Sequence, residues 1–436
     1  MGTHARHRRG RGTLWHHGDF LRLWSADTIS QAGTQVSMIA IPLLAVKTLD
    51  ASTFQVGLLT AAETAAFLLV GLPAGAWVDR LRRRPVMVAA DWGRAALLGS
   101  IPVASALGAL TMLQLYVVAL LAGVLTVFFD VSYQSYLPSL VGREHLVEGN
   151  AKLQSSQSVA QVVGPGVGGW LVQALTAPIA VAVDAASYLA SALGITAIRK
   201  HEPHPAPPGG RRGKLRHEIS EGLRFVFGHR LLWAIAGTTA TANLFSGVVS
   251  AVSVPFLVRD LHLSAGAIGA LFSVSSIGGI VGAVTASAIS RRVGSARTIW
   301  TALLVTAPMS ALVPLAQPGW RIWLFAAGAF FLAFGAVVYN VAQVSFRQAL
   351  CPERLLGRMN ATMRFIVWGT MPLGGLLGGA LGEAIGNRAT LWVSVAGYLA
   401  APMWAVLSPM RRMRDMPGES ADEAGSTAPE PALLVP

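Results

Sequence analysis

Apolar runs long enough to cross a bilayer alternate with short polar breaks along almost the whole of the 436-residue chain. A spanning helix needs about 20 predominantly apolar residues, and twelve such runs are present. In the first half they cover 23–46, 55–78, 86–106, 112–136, 153–176 and 178–198; in the second, 232–257, 265–289, 298–316, 322–346, 362–384 and 388–409. The pattern predicts an all-α integral membrane protein with twelve transmembrane helices in two six-helix bundles, 23–198 and 232–409. A basic tail precedes them at 1–22, and a tail rich in Pro, Ala, Gly, Ser and acids follows at 410–436, with too little periodic apolar surface to fold. Between the bundles, 199–231 is polar, basic and Pro/Gly-rich (His204-Pro-Ala-Pro-Pro-Gly-Gly210), then amphipathic from Leu215 to Phe227. This reads as a linker ending in an interfacial helix.

Composition agrees with that reading. Hydrophobic residues make up 53% of the chain, charged residues 13%, and the mean hydropathy is +0.53. The net charge of +13 belongs to short breaks between apolar runs rather than to one soluble face, so it argues for topology and against nucleic acid. The single cysteine, Cys351, excludes an intramolecular disulfide and a Cys-rich metal site. The basic N-terminus (Arg6, Arg8, Arg9, Arg11) lacks the short apolar stretch and cleavage site of a signal peptide, and reads as a cytoplasmic tail.

Twelve spans put both termini on one side. Placing them in the cytoplasm leaves only Lys47, Arg259, Arg321 and Arg388, of the 34 Lys and Arg residues, outside. The most basic of the turns lies between the second and third runs, where Asp79 is followed by Arg80, Arg82, Arg83 and Arg84. Such a turn faces anionic headgroups rather than hydrocarbon. The halves also repeat. At an offset of 210, Asp130-Val-x-x-x-Ser135 falls on Asn340-Val-x-x-x-Ser345, and Gly164, Gly168 and Gly169 fall on Gly374, Gly378 and Gly379; at 212, Gly57 falls on Gly269, Gly75 on Ser287 and Arg80 on Arg292. Two halves of like orientation, packed about an axis along the membrane normal, are the architecture of a transporter with a central cavity.

On these residues the chain resembles the major facilitator superfamily, and within it the drug and siderophore exporters related to macrolide efflux pumps and the enterobactin exporter. The resemblance covers about 20 to 410. The family's loop motif G-x-x-x-D-R-x-G-R-R matches at Gly75, Asp79, Arg80, Arg83 and Arg84, with Arg82 in place of its second glycine; its antiporter motif G-P-x-x-G-G matches at Gly164, Pro165, Gly168 and Gly169. Asp91-Trp-Gly-Arg94, Glu221-Gly-Leu-Arg-Phe225 and Gly357-Arg-Met-Asn360 are similar to segments of the same exporters. The resemblance implies proton-driven export by alternating access, with Asp79 holding the halves together through the start of helix 11 and nearby arginines, Arg94 among them. Topology alone is the competing explanation for the arginines. The positive-inside rule does not require Asp79.

Intramembrane carboxylates are costly and mark functional sites by default. Asp27, Glu63, Asp130 and Asp184 all fall inside predicted spans. Glu63 lies roughly 12 Å below the outer end of helix 2, near the midplane of a core about 30 Å thick, and is the first candidate for proton coupling. Asp27 and Asp130 follow in the cytoplasmic third, and Asp184 in the outer third. The competing role is a carboxylate hydrogen-bonded to a neighbouring helix, the preferred reading for Asp130 and Asp184. Asp91 and Arg94, three residues apart, are expected to pair at the cytoplasmic end of helix 3. Gly164, Pro165, Gly168 and Gly169 suit a bending seam, with ordinary small-residue packing as the alternative. Asn243, Phe365 and Trp368 are candidate substrate contacts in an apolar cavity, where lipid-facing or gap-filling roles compete. Neither a nucleotide-binding motif nor a catalytic set is present, so no cofactor, metal or enzymatic activity is expected. The expected partners are a small-molecule substrate, protons and membrane lipids, with the chain acting as a monomer in the plasma membrane. A dedicated siderophore or natural-product exporter, or a non-transporting receptor or scaffold of the same fold, remain the alternatives.

Overall fold

A computed structural model describes residues 13–78, 80–142, 145–200, 202, 223–351 and 355–415. Asp79, most of both tails and most of the linker, including the greater part of its expected amphipathic helix, lie outside the described residues. Among the described residues there is no strand, and twelve helices of twelve residues or more: α1 (Gly18–Lys47), α2 (Thr53–Val78), α3 (Arg83–Ala106), α4 (Met112–Val141), α5 (Leu146–Ala174), α6 (Ala177–Thr196), α7 (Arg230–Pro255), α8 (Ala265–Val293), α9 (Ser295–Thr306), α10 (Trp323–Leu350), α11 (Leu356–Ile385) and α12 (Asn387–Ala400).

Ten of these are long and apolar enough to cross a membrane; the exceptions are α5 and α9. The first turns of α5 carry Glu148, Asn150, Lys152 and Gln154, which dilute its apolar character. α9 has only 12 residues before the chain tightens into a 3₁₀ segment at Ala307–Leu312, where Pro308 removes a backbone donor. Several helices overrun their apolar runs. α4 continues to Val141, α10 to Leu350, and α5 and α11 begin at Leu146 and Leu356, because apolar counting sees only the part in hydrocarbon. The last run is shorter than its apolar length, since Pro402 follows the end of α12 and leaves a single turn at Met403–Val406.

The chain divides into two compact units. The first comprises residues to 51 with 65–209 and 264–270; the second comprises 52–64, 210–263 and 271 onward. In the first unit α1 packs on α5 and α6, and α3 on α4 and α6. In the second, α7 packs on α11 and α12, and α9 on α10. The pairings repeat because the glycines repeat. A β-carbon on Gly168 of α5 would lie 3.0 Å from Cα of Val36 on α1, and one on Gly378 of α11 would lie 2.7 Å from Cα of Val248 on α7. Gly168 and Gly378 are related by the offset of 210, Val36 and Val248 by the offset of 212.

A second pair of contacts obeys the same rule. In the first unit Gly169 of α5 meets Gly269 at the start of α8, where an added β-carbon would come within 2.8 Å of the partner's Cα. In the second, Gly57 near the start of α2 meets Gly379 of α11, with 2.6 Å available. Backbone touches backbone at all four positions, so a larger residue has no side chain to push aside.

Gly168→Val and Gly378→Val should therefore each destabilise the protein by about 1–3 kcal/mol, the range for overpacking a filled interior. Gly71→Ala, in α2 with nothing within 4 Å of the added methyl, should be neutral or mildly stabilising. Thermal unfolding of the detergent-solubilised variants by fluorescence-detected gel filtration reads the difference; equal midpoints for all three would show that the glycine seams do not set stability.

Candidate functional site

Asp91 and Arg94 stand one turn apart on the same face of α3, and both are buried. Arg94 donates to Asp91 and, at 3.4 Å, to Thr126 of α4. Its guanidinium lies between two rings, 4.5 Å from the centroid of Phe129 on α4 and 4.2 Å from that of Tyr188 on α6. The Tyr188 hydroxyl shares a hydrogen bond of 2.8 Å with Thr34 of α1. Four helices thus hold one cation in place.

Three further carboxyls lie within its electrostatic reach. Asp27 of α1 is buried beside Gln31, within electrostatic reach of Asp91, Asp130 and Arg94. Asp130 of α4 also acts on Arg94. Asp184 of α6 is buried one turn before Tyr188, accepts a hydrogen bond of 3.1 Å from Ser187 Oγ and lies in the field of Arg94. Arg94 comes eleven residues into α3, roughly 16 Å along its axis at 1.5 Å per residue. The Asp91–Arg94 pair forms as expected, but toward the middle of α3 rather than at its end. Asp184 belongs with it because α6 passes Tyr188 directly against the guanidinium.

The other candidates are dispersed. Glu63 is half-buried on α2, in the stretch that packs with the second unit, and has no hydrogen-bond or ion-pair partner among the described residues. Asn243 of α7 donates to the backbone oxygen of Val367 on α11 at 3.0 Å and lines a cavity of about 200 Å³ with Ser246, Thr306 and Tyr398. Phe365 and Trp368 are exposed on α11. In the antiporter motif, Gly164 faces Gln35, Gly168 faces Val36, Gly169 faces Gly269, and the oxygen of Pro165 also points at Gly269.

Around the loop motif, Gly75 lies in α2, Arg80 is exposed, and Asp79 is outside the described residues. Arg82, where the family has glycine, sits at φ −68° and ψ 129°, ordinary extended backbone that needs no glycine. Arg83 and Arg84 open α3, and their backbone N–H groups donate to the two oxygens of Glu202 at 2.8 and 3.0 Å. A carboxylate at that place satisfies orphan donors and opposes the positive end of the helix dipole. The Arg84 side chain also donates to the carbonyls of Ile195 and Thr196 that end α6. Asp19 of α1 accepts from the N–H groups of Arg199 and Lys200, each at 2.9 Å. The start of the connecting segment is thereby tied to α1, α3 and α6.

Sequence reasoning missed Glu202, which sits among prolines with no periodicity to point at it. It also missed a matched pair that the repeat does signal. Gln173 of α5 accepts from the N–H of Gly266 at 2.9 Å in the first unit, and Glu383 of α11 accepts from the N–H of Phe54 at 3.4 Å in the second. Gln173 and Glu383 are 210 apart, Phe54 and Gly266 are 212 apart. Each side chain caps the first turn of the helix whose glycine its own helix touches.

The family model for transmembrane secretion effectors, a division of the major facilitator superfamily, matches residues 14–434. The chain belongs to this family. Among curated relatives of this family member, the multidrug efflux pump Tap of Mycolicibacterium fortuitum is 26% identical over 407 residues, 92% of this chain and 98% of that one. The enterobactin exporter EntS of Salmonella typhi is 24% identical over 414 residues, covering 92% and 95%. Solved structures share the major facilitator fold. The nucleoside transporter NupG superposes with a TM-score of 0.73 at 12% identity, over 91% of this chain and 99% of its own. A bacterial homologue of the iron transporter ferroportin gives 0.71 at 16%, over 89% and 98%. The protein is a multi-pass membrane transporter, not an enzyme.

Removing one partner of a buried ion pair leaves the other charge uncompensated, at a cost of about 3–5 kcal/mol. Arg94→Met should lower the thermal midpoint and the yield of folded protein sharply, and Asp91→Asn combined with it should recover part of the loss. A single variant as stable as the parent would show that Arg94 does not hold the carboxyls together.

Proposed function

We propose that the protein exports hydrophobic or amphiphilic small molecules from the cell in exchange for protons, by alternating access. The observation that carries the coupling is the charge balance of the first unit, where Asp27, Asp91, Asp130 and Asp184 gather about the single guanidinium of Arg94. One cation balances one carboxylate. Further ionised carboxyls in a membrane core are costly, so the set exchanges protons with whichever side of the membrane water reaches it from. Arg94 is clamped between rings and stays put, while protons come and go around it.

The efflux half of the reading is supported by relatives named as a multidrug efflux pump and an enterobactin exporter, each matched over nearly its full length. The first favours a broad range of amphiphiles. The second supports a dedicated exporter of a siderophore or natural product as the other reading. The distribution of Lys and Arg supports a plasma-membrane protein with both termini, the Arg80–Arg84 turn and the connecting segment in the cytoplasm. The glycine seams, the family's Asp79 and Glu63 have their proposed places in the same cycle, the first as lines along which helices rock and the last as a second proton site.

Accumulation of drugs and dyes in an efflux-deficient host, with and without a protonophore, tests this. Wild-type protein should lower accumulation several-fold, the protonophore should abolish the effect, and Asp27→Asn should behave like empty vector at equal expression. Glu63→Gln, which removes only the second proton site, should weaken protonophore-sensitive efflux without abolishing it. Loss of efflux in Glu63→Gln with full activity in Asp27→Asn would move coupling to α2. Equal accumulation in wild type and vector would remove broad drug efflux and leave the dedicated exporter.

A further inference from the structure

In the first unit, α1 forms the floor and α5 and α6 the walls of a groove of about 1020 Å³. Of the transport residues above, only Gly164 of the antiporter motif lies in its lining. Its lining changes along α5 in a definite order. Glu148 and Lys152, the two charged residues of the lining, stand at the start, paired at 3.6 Å. The Lys152 ammonium also lies 3.8 Å over the ring of Trp15, which is itself packed edge-on against Trp24.

One turn further on, Ser155 and Ser156 bring hydroxyls, with Thr28 of α1 opposite. Val159, Val163 and Val167 then follow at intervals of four, exposed along the groove. From Lys152 to Leu171 the helix rises roughly 28 Å at 1.5 Å per residue, close to the thickness of a hydrocarbon core of about 30 Å. The groove is therefore longer than a single leaflet is deep.

Charge pair, hydroxyls, apolar channel is the order of headgroup, glycerol esters and acyl chains. We propose that this groove binds a zwitterionic glycerophospholipid, with its phosphate at Lys152, its ammonium at Glu148, its ester region at the hydroxyl turn and its acyl chains along the valine row. The sign of the headgroup follows from the pair. Glu148 and Lys152 together carry no net charge, so they offer an anionic headgroup no net attraction, yet they meet both charges of an amine-phosphate headgroup at once. The tryptophans match the polar–apolar boundary, where their rings are favoured.

The test is native mass spectrometry of the full-length protein in detergent with equal amounts of phosphatidylethanolamine and phosphatidylglycerol of the same acyl composition. Wild type should retain one phosphatidylethanolamine at about fivefold excess, the scale of one charged contact at a membrane surface. Glu148→Gln with Lys152→Gln should erase the preference. Val163→Trp, which fills the groove from an exposed position, should lower retention of the bound lipid with an unchanged thermal midpoint. Equal retention of the two lipids by wild type would overturn the proposal. So would an undiminished preference in Val163→Trp, or displacement of the lipid by an exported dye, which would make the groove a substrate site.

Discussion

Helices in this protein are held together by backbone against backbone. Apolar side chains gain little by leaving lipid for protein, so association in hydrocarbon rests on close approach and on polar groups that find partners inside. Gly168 against Val36 and Gly378 against Val248 bring α1 to α5 and α7 to α11 at distances where a β-carbon has no room. The polar interior depends on the same closeness. At Gly33 an added β-carbon would lie 2.5 Å from a carboxyl oxygen of Asp184, so the missing side chain is what lets Asp184 and Ser187 reach α1. Tyr188, on the next turn, then meets both Thr34 and Arg94.

Arg94 shows how such an interior is organised around a fixed charge. Phe129 and Tyr188 cover its two faces, Asp91 takes one edge, and Thr126 takes another. The carboxyls around it differ in their neighbours, Gln31 for Asp27 and Ser187 for Asp184. They are therefore not interchangeable. A site built this way sets one fixed cation among carboxyls of unlike surroundings.

The fold was legible because its causes are periodic. Apolar runs locate the helices, and the offsets of 210 and 212 make the contact of Gly169 with Gly269 the counterpart of that of Gly379 with Gly57. Helix ends were less legible, since α4, α5, α10 and α11 extend past hydrocarbon on turns whose polar residues look like loop. The site was half visible. Acidic residues in apolar runs flag Asp27, Asp130 and Asp184 but equally Glu63, which stands apart on α2, because depth along a helix does not reveal which side chains meet. Glu202 was invisible because its partners are backbone N–H groups of a helix 118 and 119 residues away. No pattern of side chains records such a contact.

That contact changes what the connecting segment is. With Glu202 held on the N–H groups of Arg83 and Arg84, and Arg199 and Lys200 held on Asp19, the tether between the halves is moored at the foot of α3 rather than at the end of α6. The same helix carries Asp91 and Arg94, so the mooring of the tether and the charged centre sit on one continuous element.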